Sequence, residues 1–176
     1  GSDVRQLGPA GNGVAPSVWR DAYRDAGMPL PEDAEIDSTG IVHIRPKHGT
    51  GEAYHFRELV HVLKDVETVE ELERLPWGPE EAFGPDPDRI ATVAEARRQH
   101  LVLRGVRECT VFENAWYLRG MDQLFCDLME DDPVGNWLLD RFTRRSMAEG
   151  IEFCRRGVAV IALGADIGMQ TGMMMS

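Results

Sequence analysis

Cysteine is scarce in this sequence, and it has no long apolar run. Only Cys109, Cys126 and Cys154 occur among 176 residues, and their odd number and wide spacing exclude a disulfide scaffold or a zinc knuckle. The longest apolar run, residues 158–163, is far shorter than the roughly 20 residues that a membrane-spanning helix needs. Because no basic-then-apolar leader opens the chain, we expect a cytoplasmic protein with reduced cysteines.

Basic residues are in the minority. The chain has 19 Lys and Arg against 30 Asp and Glu, which gives a formal net charge of −11. This balance argues against binding to nucleic acids or membranes, because both surfaces are anionic. An apolar content of 43% with 28% charged residues is ordinary for a globular domain. Disorder as the main state is therefore excluded.

The pattern of residues 1–85 predicts an irregular region that contains a hairpin and one short helix. Glycine and proline give turn signals through the first forty residues, so little regular structure is expected there. Residues 40–45 alternate apolar and polar side chains, as in a short strand, and a hairpin is expected across residues 47–51. Thr68 and Glu71 have the spacing of a capping box, which begins a short helix that Pro76 ends.

From residue 86 onward, the predicted helices and strands alternate. Helices are expected over residues 87–100 and 114–129, with a break near Gly120, and a third helix is expected from a cap at Asp132 to Gly157. Strands are expected over residues 101–106 and 158–163. The second strand is apolar on both faces, as in a buried parallel sheet. This order is typical of an α/β fold, and residues 86–176 are interpreted as its βα units, in one domain with residues 1–85.

Two carboxylates follow predicted strands, where α/β enzymes hold their active sites. Glu113 comes after the strand over residues 101–106, and Asp166 comes directly after the strand over residues 158–163. The loops at the carboxyl ends of parallel strands carry catalytic residues in barrel enzymes. Each residue also has a structural interpretation, since Glu113 can favour a helix N-terminus through the helix dipole and Asp166 can cap the next turn.

Other motifs give weaker signals. The glycines in residues 8–13 do not have the spacing of a dinucleotide-binding loop, so a plain loop is the better interpretation. His43, His48, His55 and His61 lie close together in the sequence, but no two of them have the i, i+4 spacing of metal ligands on one helical face. We therefore interpret these histidines as solvated positions.

Three segments resemble the uroporphyrinogen decarboxylase superfamily. They are residues 157–176 (GVAVIALGADIGMQTGMMMS), 68–77 (TVEELERLPW) and 112–120 (FENAWYLRG). The likeness is greatest to the branch that includes cobalamin-dependent methyltransferases. The resemblance implies a partial (β/α)8 TIM barrel, roughly its first half to two-thirds, since a complete barrel typically needs about 250 residues.

The resemblance also implies a site. Asp166, Glu113 and Asp3 would be catalytic, with Asp166 and Glu113 at the mouth of the barrel. The residues expected to contact the substrate are Trp116, Tyr117 and Gln170. Trp116 stands where the decarboxylase has a tyrosine, Ile167 stands where it has a serine, and the arginine-rich N-terminal loop is missing. These departures favour corrinoid-dependent methyl transfer over decarboxylation of uroporphyrinogen.

Each interpretation carries its own partners. Methyl transfer implies a small-molecule substrate, a corrinoid protein, and a zinc ion held by His and Cys residues beyond Ser176, whereas decarboxylation implies no cofactor. A third hypothesis is a non-catalytic barrel fragment that acts as an assembly module. Because no later strand is predicted beside residues 158–163, we expect the chain to need a homo-oligomer or a missing C-terminal half, and to be inactive alone.

Overall fold

The computed structural model describes residues 3–8, 13–44, 58–79, 87–107, 111–164, 168–169 and 172–173. Its strands are β1 (Val4–Leu7), β2 (Ala34–Ile36), β3 (Val42–Ile44), β4 (Glu58–Val60), β5 (Val102–Arg107), β6 (Val160–Leu163), β7 (Gly168–Met169) and β8 (Gly172–Met173). Its helices are α1 (Pro16–Asp25), α2 (Val69–Glu73), α3 (Pro87–Arg98), α4 (Val111–Arg119), α5 (Met121–Glu130) and α6 (Pro133–Arg155). None of these helices is long and apolar enough to cross a membrane.

The chain divides into two units, and the first is built on a parallel sheet. This unit comprises residues 1–12, 79–113 and 140–176, and its strand order is β1-β5-β6. One face of the sheet is packed into a core that contains Leu7 and Leu103 from the strands, Val93 and Ala96 from α3, and Phe153 from α6. The parallel pairing of β5 with β6 confirms the predicted parallel sheet.

The opposite face of the same sheet is partly bare. Val4 is in register with Val102, and Arg104 is in register with Val160. Because side chains alternate between the two faces of a strand, the three valines share this face. They are 42%, 44% and 52% exposed. The prediction that the strand over residues 158–163 is buried on both faces is therefore wrong, since an apolar composition does not determine what covers each face.

The second unit, residues 13–78 and 114–139, contains the antiparallel sheet β2-β3-β4. Its core includes Trp19 and Tyr23 of α1, both fully buried. The Tyr23 hydroxyl donates to the carbonyl of Gly40 at 2.7 Å. Burial raises the pKa of this hydroxyl, and the nearby Asp37 carboxylate raises it further. The ring of Trp77 meets Trp19 edge-on, with centroids 5.1 Å apart.

The starts of α2 and α6 and the break between α4 and α5 lie where the sequence predicts them. Thr68 and Glu71 form the predicted capping box at the start of α2, and the amides of Glu67 and Thr68 lower the pKa of Glu71 by donating to its carboxylate. Asp132 accepts from the amide of Val134 at 2.7 Å, in the first turn of α6. The break near Gly120 is also confirmed: α4 ends before it and α5 begins after it.

The expected partial TIM barrel is wrong. Across the described residues, three parallel strands form one sheet and three antiparallel strands form another, which is too few parallel strands for a partial barrel. The alternation of helices and strands is shared by all α/β folds, so it does not specify a barrel. The described residues form a mixed α/β structure.

The expectation of little regular structure in the first forty residues is also wrong. β1, α1 and β2 all lie there. Pro16 occupies the first turn of α1, where proline is tolerated because its missing N–H would have no helical partner. The predicted turn over residues 47–51 lies outside the described residues, although β3 and β4 on either side of it pair antiparallel.

Candidate functional site

Ionisable side chains lie at the carboxyl end of the parallel sheet. β5 ends at Arg107, and the next helix, α4, carries Glu113 in its first turn. β6 ends beside β5, since the amide of Gly164 donates to the carbonyl of Arg107 at 2.9 Å. Ligands of open α/β sheets bind at this end of the strands. The first unit therefore has its candidate site here.

Arg107 forms a buried ion pair with Glu149 of α6. Its Nη1 donates to Oε2 at 2.5 Å, and the two side chains are 10% and 3% exposed. Its Nε is buried and has no hydrogen-bond partner in the structure as described. Burying two charges costs desolvation energy, which their attraction offsets only while both partners are present. The pair thus fixes a guanidinium at the end of β5 without leaving a net charge there.

Glu113 is buried in α4, the helix that follows β5 in the chain. It is 5% exposed, and its place in the first turn of α4 suits a carboxylate because the helix N-terminus is electropositive. The burial also gives the carboxylate a water-poor environment, in which charge interactions are stronger. Its position therefore satisfies both the structural and the functional interpretation.

The structure does not bring Asp3 to this end of the sheet. Asp3 comes before β1, and its carbonyl accepts from the amide of Val102, the first residue of β5, at 2.9 Å. Because β1 and β5 run parallel, Asp3 lies at the amino end, opposite the end at which Arg107 lies. The other two predicted site residues, Asp166 and Gln170, lie outside the described residues.

The predicted substrate contacts Trp116 and Tyr117 lie in the second unit, beside His61. Their rings meet edge-on with centroids 4.4 Å apart, and Trp116 is 6.1 Å from the His61 ring. Nδ1 of His61 lies 3.0 Å from the carbonyl oxygen of Tyr117. A carbonyl can only accept, so Nδ1 of His61 donates this hydrogen bond.

Arg119, at the end of α4, binds both Asp127 of α5 and the backbone of the segment that follows His61. It is 3% exposed, and its Nη1 donates to the carbonyls of Leu63 at 2.7 Å and Val66 at 2.6 Å. Its Nε and Nη2 bind the two carboxylate oxygens of Asp127. The guanidinium therefore holds the turn that follows His61 against the end of α4.

The sequence analysis did not identify Arg107, Glu149 or Arg119, and it interpreted His61 as a solvated position, whereas its ring is partly buried and bonded to the Tyr117 carbonyl. Arg107 and Glu149 are 42 residues apart, and His61 binds a backbone carbonyl 56 residues away. The spacing of neighbouring residues in the sequence therefore could not predict either contact. One signal was available for Arg107. It follows Leu103 and Gly105 at alternate positions, and that period places it on the packed face of β5.

No metal site is found among the described residues, and the comparisons with known proteins give no match. In the part of the chain that the structure describes, no group of three or more His, Cys, Asp or Glu side chains could hold a metal ion. The zinc ligands that the resemblance implies would lie beyond Ser176, and the described residues supply no such site themselves. No family model, curated protein or solved structure matches the chain.

Proposed function

We propose that this chain belongs to an enzyme that transfers a methyl group from a corrinoid protein to a small acceptor, as in the methyltransferase branch of the uroporphyrinogen decarboxylase superfamily. The likeness of three sequence segments supports this proposal. The thiols of Cys126 and Cys154 are free, which supports a reducing, cytoplasmic location.

One observation carries the proposal: Arg107 and Glu149 are buried at the carboxyl end of a parallel sheet, and in the sequence Glu113 follows β5 and Asp166 follows β6. A bound corrinoid would supply an electrophilic methyl group and would keep the electron pair of the cobalt–carbon bond that breaks. The S–H or O–H of the acceptor loses its proton as the bond to the methyl carbon forms, and a nearby carboxylate can receive that proton. Glu113 and Asp166 are the candidates for this role.

The test uses the protein that contains this chain, with methylcobalamin and a small thiol as probes. We expect loss of methylcobalamin absorbance and an equal yield of methyl thioether. Asp166→Asn and Glu113→Gln should each lower the rate by about 10²-fold or more. Asp21→Asn, which changes an exposed pair with Arg24, should leave the rate unchanged. No methyl transfer, or full activity in both site variants, contradicts the proposal.

Decarboxylation of uroporphyrinogen is the competing activity. The Nε–H of Arg107, which has no hydrogen-bond partner in the structure as described, favours it, because such a donor suits a substrate that carries carboxylates. The same protein incubated with uroporphyrinogen separates the two activities. Stepwise loss of carboxyl groups by mass spectrometry, without methyl transfer, would replace the first proposal with this one.

The partly exposed face of the parallel sheet favours a non-catalytic role in assembly. Val4, Val102 and Val160 are about half exposed, whereas parallel sheets are usually covered on both faces. In this role the chain forms an oligomer with other copies. Sedimentation of the wild-type chain should then show self-association, and Val102→Lys should shift it toward the monomer. A wild-type monomer at every concentration excludes this role.

A further inference from the structure

The face of the parallel sheet that carries Val4, Val102 and Val160, here called the open face, has an arginine at its centre. Arg104 lies in the middle of β5, the central strand of the sheet, and is in register with Gln6 of β1 and with Val160 of β6. The residue is partly exposed, and its guanidinium forms no hydrogen bond or ion pair with any described residue. The centre of the open face is therefore a positive charge that has no counterion among the described residues.

Apolar side chains flank this arginine along the strands. Val4 and Val102 are in register on its amino side, and Val106 and Ala162 are in register on its carboxyl side. These residues share the open face with Arg104 because side chains alternate between the two faces of a strand, and none of them is buried. Both faces of a parallel sheet are usually covered by helices. The open face therefore has the composition of a surface that packs against another structural element.

The dimensions of the open face suit a single α-helix. Its three strands, spaced by about 4.8 Å, span about 10 Å, which is the diameter of a helix with its side chains. Along β5, Val102, Arg104 and Val106 follow one another at intervals of about 6.6 Å, twice the rise per residue in a strand. Helix positions i, i+4 and i+8 lie on one side of the helix at intervals of about 6 Å. A helix aligned with β5 therefore places one side chain over each of these three residues.

The charge at the centre of the open face specifies the chemistry of that helix. Covering Arg104 with an apolar side chain would bury a guanidinium without a counterion, which is strongly unfavourable. A carboxylate at position i+4, between apolar side chains at i and i+8, supplies the counterion and also lets the helix cover the valines. A second copy of this chain is a poorer occupant, because a two-fold pairing of open faces brings the two central Arg104 side chains together.

We propose that the open face binds an amphipathic α-helix of a partner protein that has a glutamate at the centre of its apolar stripe. The glutamate pairs with Arg104, and the apolar residues one turn before and one turn after it pack on Val102 and Val106. Helices that lay an apolar stripe on a complementary surface are a common mode of peptide recognition. The residues of the open face take no part in the methyl transfer proposed above, so the two proposals are tested independently.

The test is a titration of the purified chain into a fluorescein-labelled helical peptide, followed by fluorescence anisotropy. The peptide is built from alanine and glutamine, with leucine, glutamate and leucine at positions i, i+4 and i+8 and further leucines beside that stripe. One control peptide has lysine in place of the glutamate, and a second has the same composition with its leucines spread around the helix. We expect saturable binding of the glutamate peptide, an affinity at least about tenfold lower for the lysine peptide, and no saturable binding of the second control.

Three variants locate the binding surface. Arg104→Glu should reverse the preference, so that the lysine peptide binds more tightly than the glutamate peptide. Val102→Ser should weaken binding of the glutamate peptide about three- to tenfold, because less apolar surface is buried in the complex. Val18→Ser, which changes a valine of α1 that is 46% exposed, should leave the affinity unchanged. Circular dichroism confirms that each variant is folded.

The proposal is overturned if the folded wild-type chain does not bind the glutamate peptide saturably, or if Arg104→Glu or Val102→Ser leaves the affinities for the peptides unchanged. Equal affinities of the wild type for the glutamate and lysine peptides would also overturn it. Sedimentation distinguishes the remaining occupant. Self-association of the wild type that Val102→Lys abolishes would assign the open face to a second copy of the chain instead of a partner helix.

Discussion

Arg119 and Asp127 form a two-point ion pair, with Nε 2.7 Å from Oδ2 and Nη2 3.1 Å from Oδ1. The two side chains are only 4% and 2% exposed. Gln123 adds a third bond to the same carboxylate, and Nη1 of Arg119 holds the carbonyls of Leu63 and Val66. Because so many buried groups depend on it, this pair determines the stability of the second unit more than any exposed ion pair does.

Asp127→Asn should therefore be strongly destabilising. The substitution keeps the shape of the side chain but leaves the Arg119 charge buried without its counterion, at a cost of about 3–5 kcal/mol. Urea denaturation measures the change. Asp21→Asn removes a carboxylate from an exposed pair and should change the free energy of unfolding by less than about 1 kcal/mol. Equal changes in the free energy of unfolding would show that the buried pair contributes no more to stability than the exposed pair does.

Two glycines of α6 provide a matched pair of substitutions. A Cβ atom at Gly135 would lie 2.5 Å from Cβ of Asp127, whereas a Cβ at Gly150 would meet nothing within 4 Å. Gly135→Ala should cost about 1–3 kcal/mol through overpacking. Gly150→Ala should stabilise the helix by about 0.5–1 kcal/mol, because alanine loses less backbone entropy. Thermal unfolding measures both, and a shift of the same sign in both variants contradicts the prediction.

The sequence predicted the features that depend on neighbouring residues. The capping box of Thr68 and Glu71, the cap at Asp132 and the break at Gly120 each involve groups within one helical turn. Such signals are readable because the interacting atoms are only a few residues apart. The parallel sheet was also predictable, since helices separate β5 from β6 and a parallel pair needs such a crossover.

The features that depend on distant residues were not predictable. The barrel expectation failed because strand closure is not encoded in the order of elements. The Arg107–Glu149 pair and the contact of His61 with Tyr117 likewise join residues far apart in sequence. Of the predicted site, Glu113 is buried in the helix that follows β5, Asp3 lies at the amino end of the sheet, and Trp116 and Tyr117 lie in the second unit.

Gly105 should be intolerant of a side chain because α6 packs against it. A Cβ atom there would lie 2.8 Å from Cδ2 of Phe153, so Gly105→Ala should cost about 1–3 kcal/mol. Phe153→Leu removes the ring that causes the clash. In the double variant the two costs should fall short of additivity by about 0.5–3 kcal/mol, as measured by a double-mutant cycle in urea. Strict additivity would show that the ring does not limit this position.

Tyr23 should make the stability of the protein sensitive to alkaline pH. Its hydroxyl is buried and donates to the carbonyl of Gly40, and burial raises its pKa above that of an unfolded tyrosine, which is about 10. Above that pH the unfolded chain has released the proton while the folded chain still holds it. The unfolded state then binds fewer protons, so the free energy of unfolding should fall by about 1.4 kcal/mol per pH unit.

Comparison with Tyr23→Phe isolates this effect from the titration of other groups. At neutral pH the variant should be less stable by about 1–3 kcal/mol, because the Gly40 carbonyl loses its buried donor. Below pH about 10 the difference between the two proteins should stay constant, since the tyrosine is protonated in both states. Above it the wild type should lose stability faster, and the difference should shrink. Urea midpoints measured in parallel from neutral to alkaline pH check this, and a constant difference throughout would mean that the hydroxyl ionises as easily in the folded protein as in the unfolded chain.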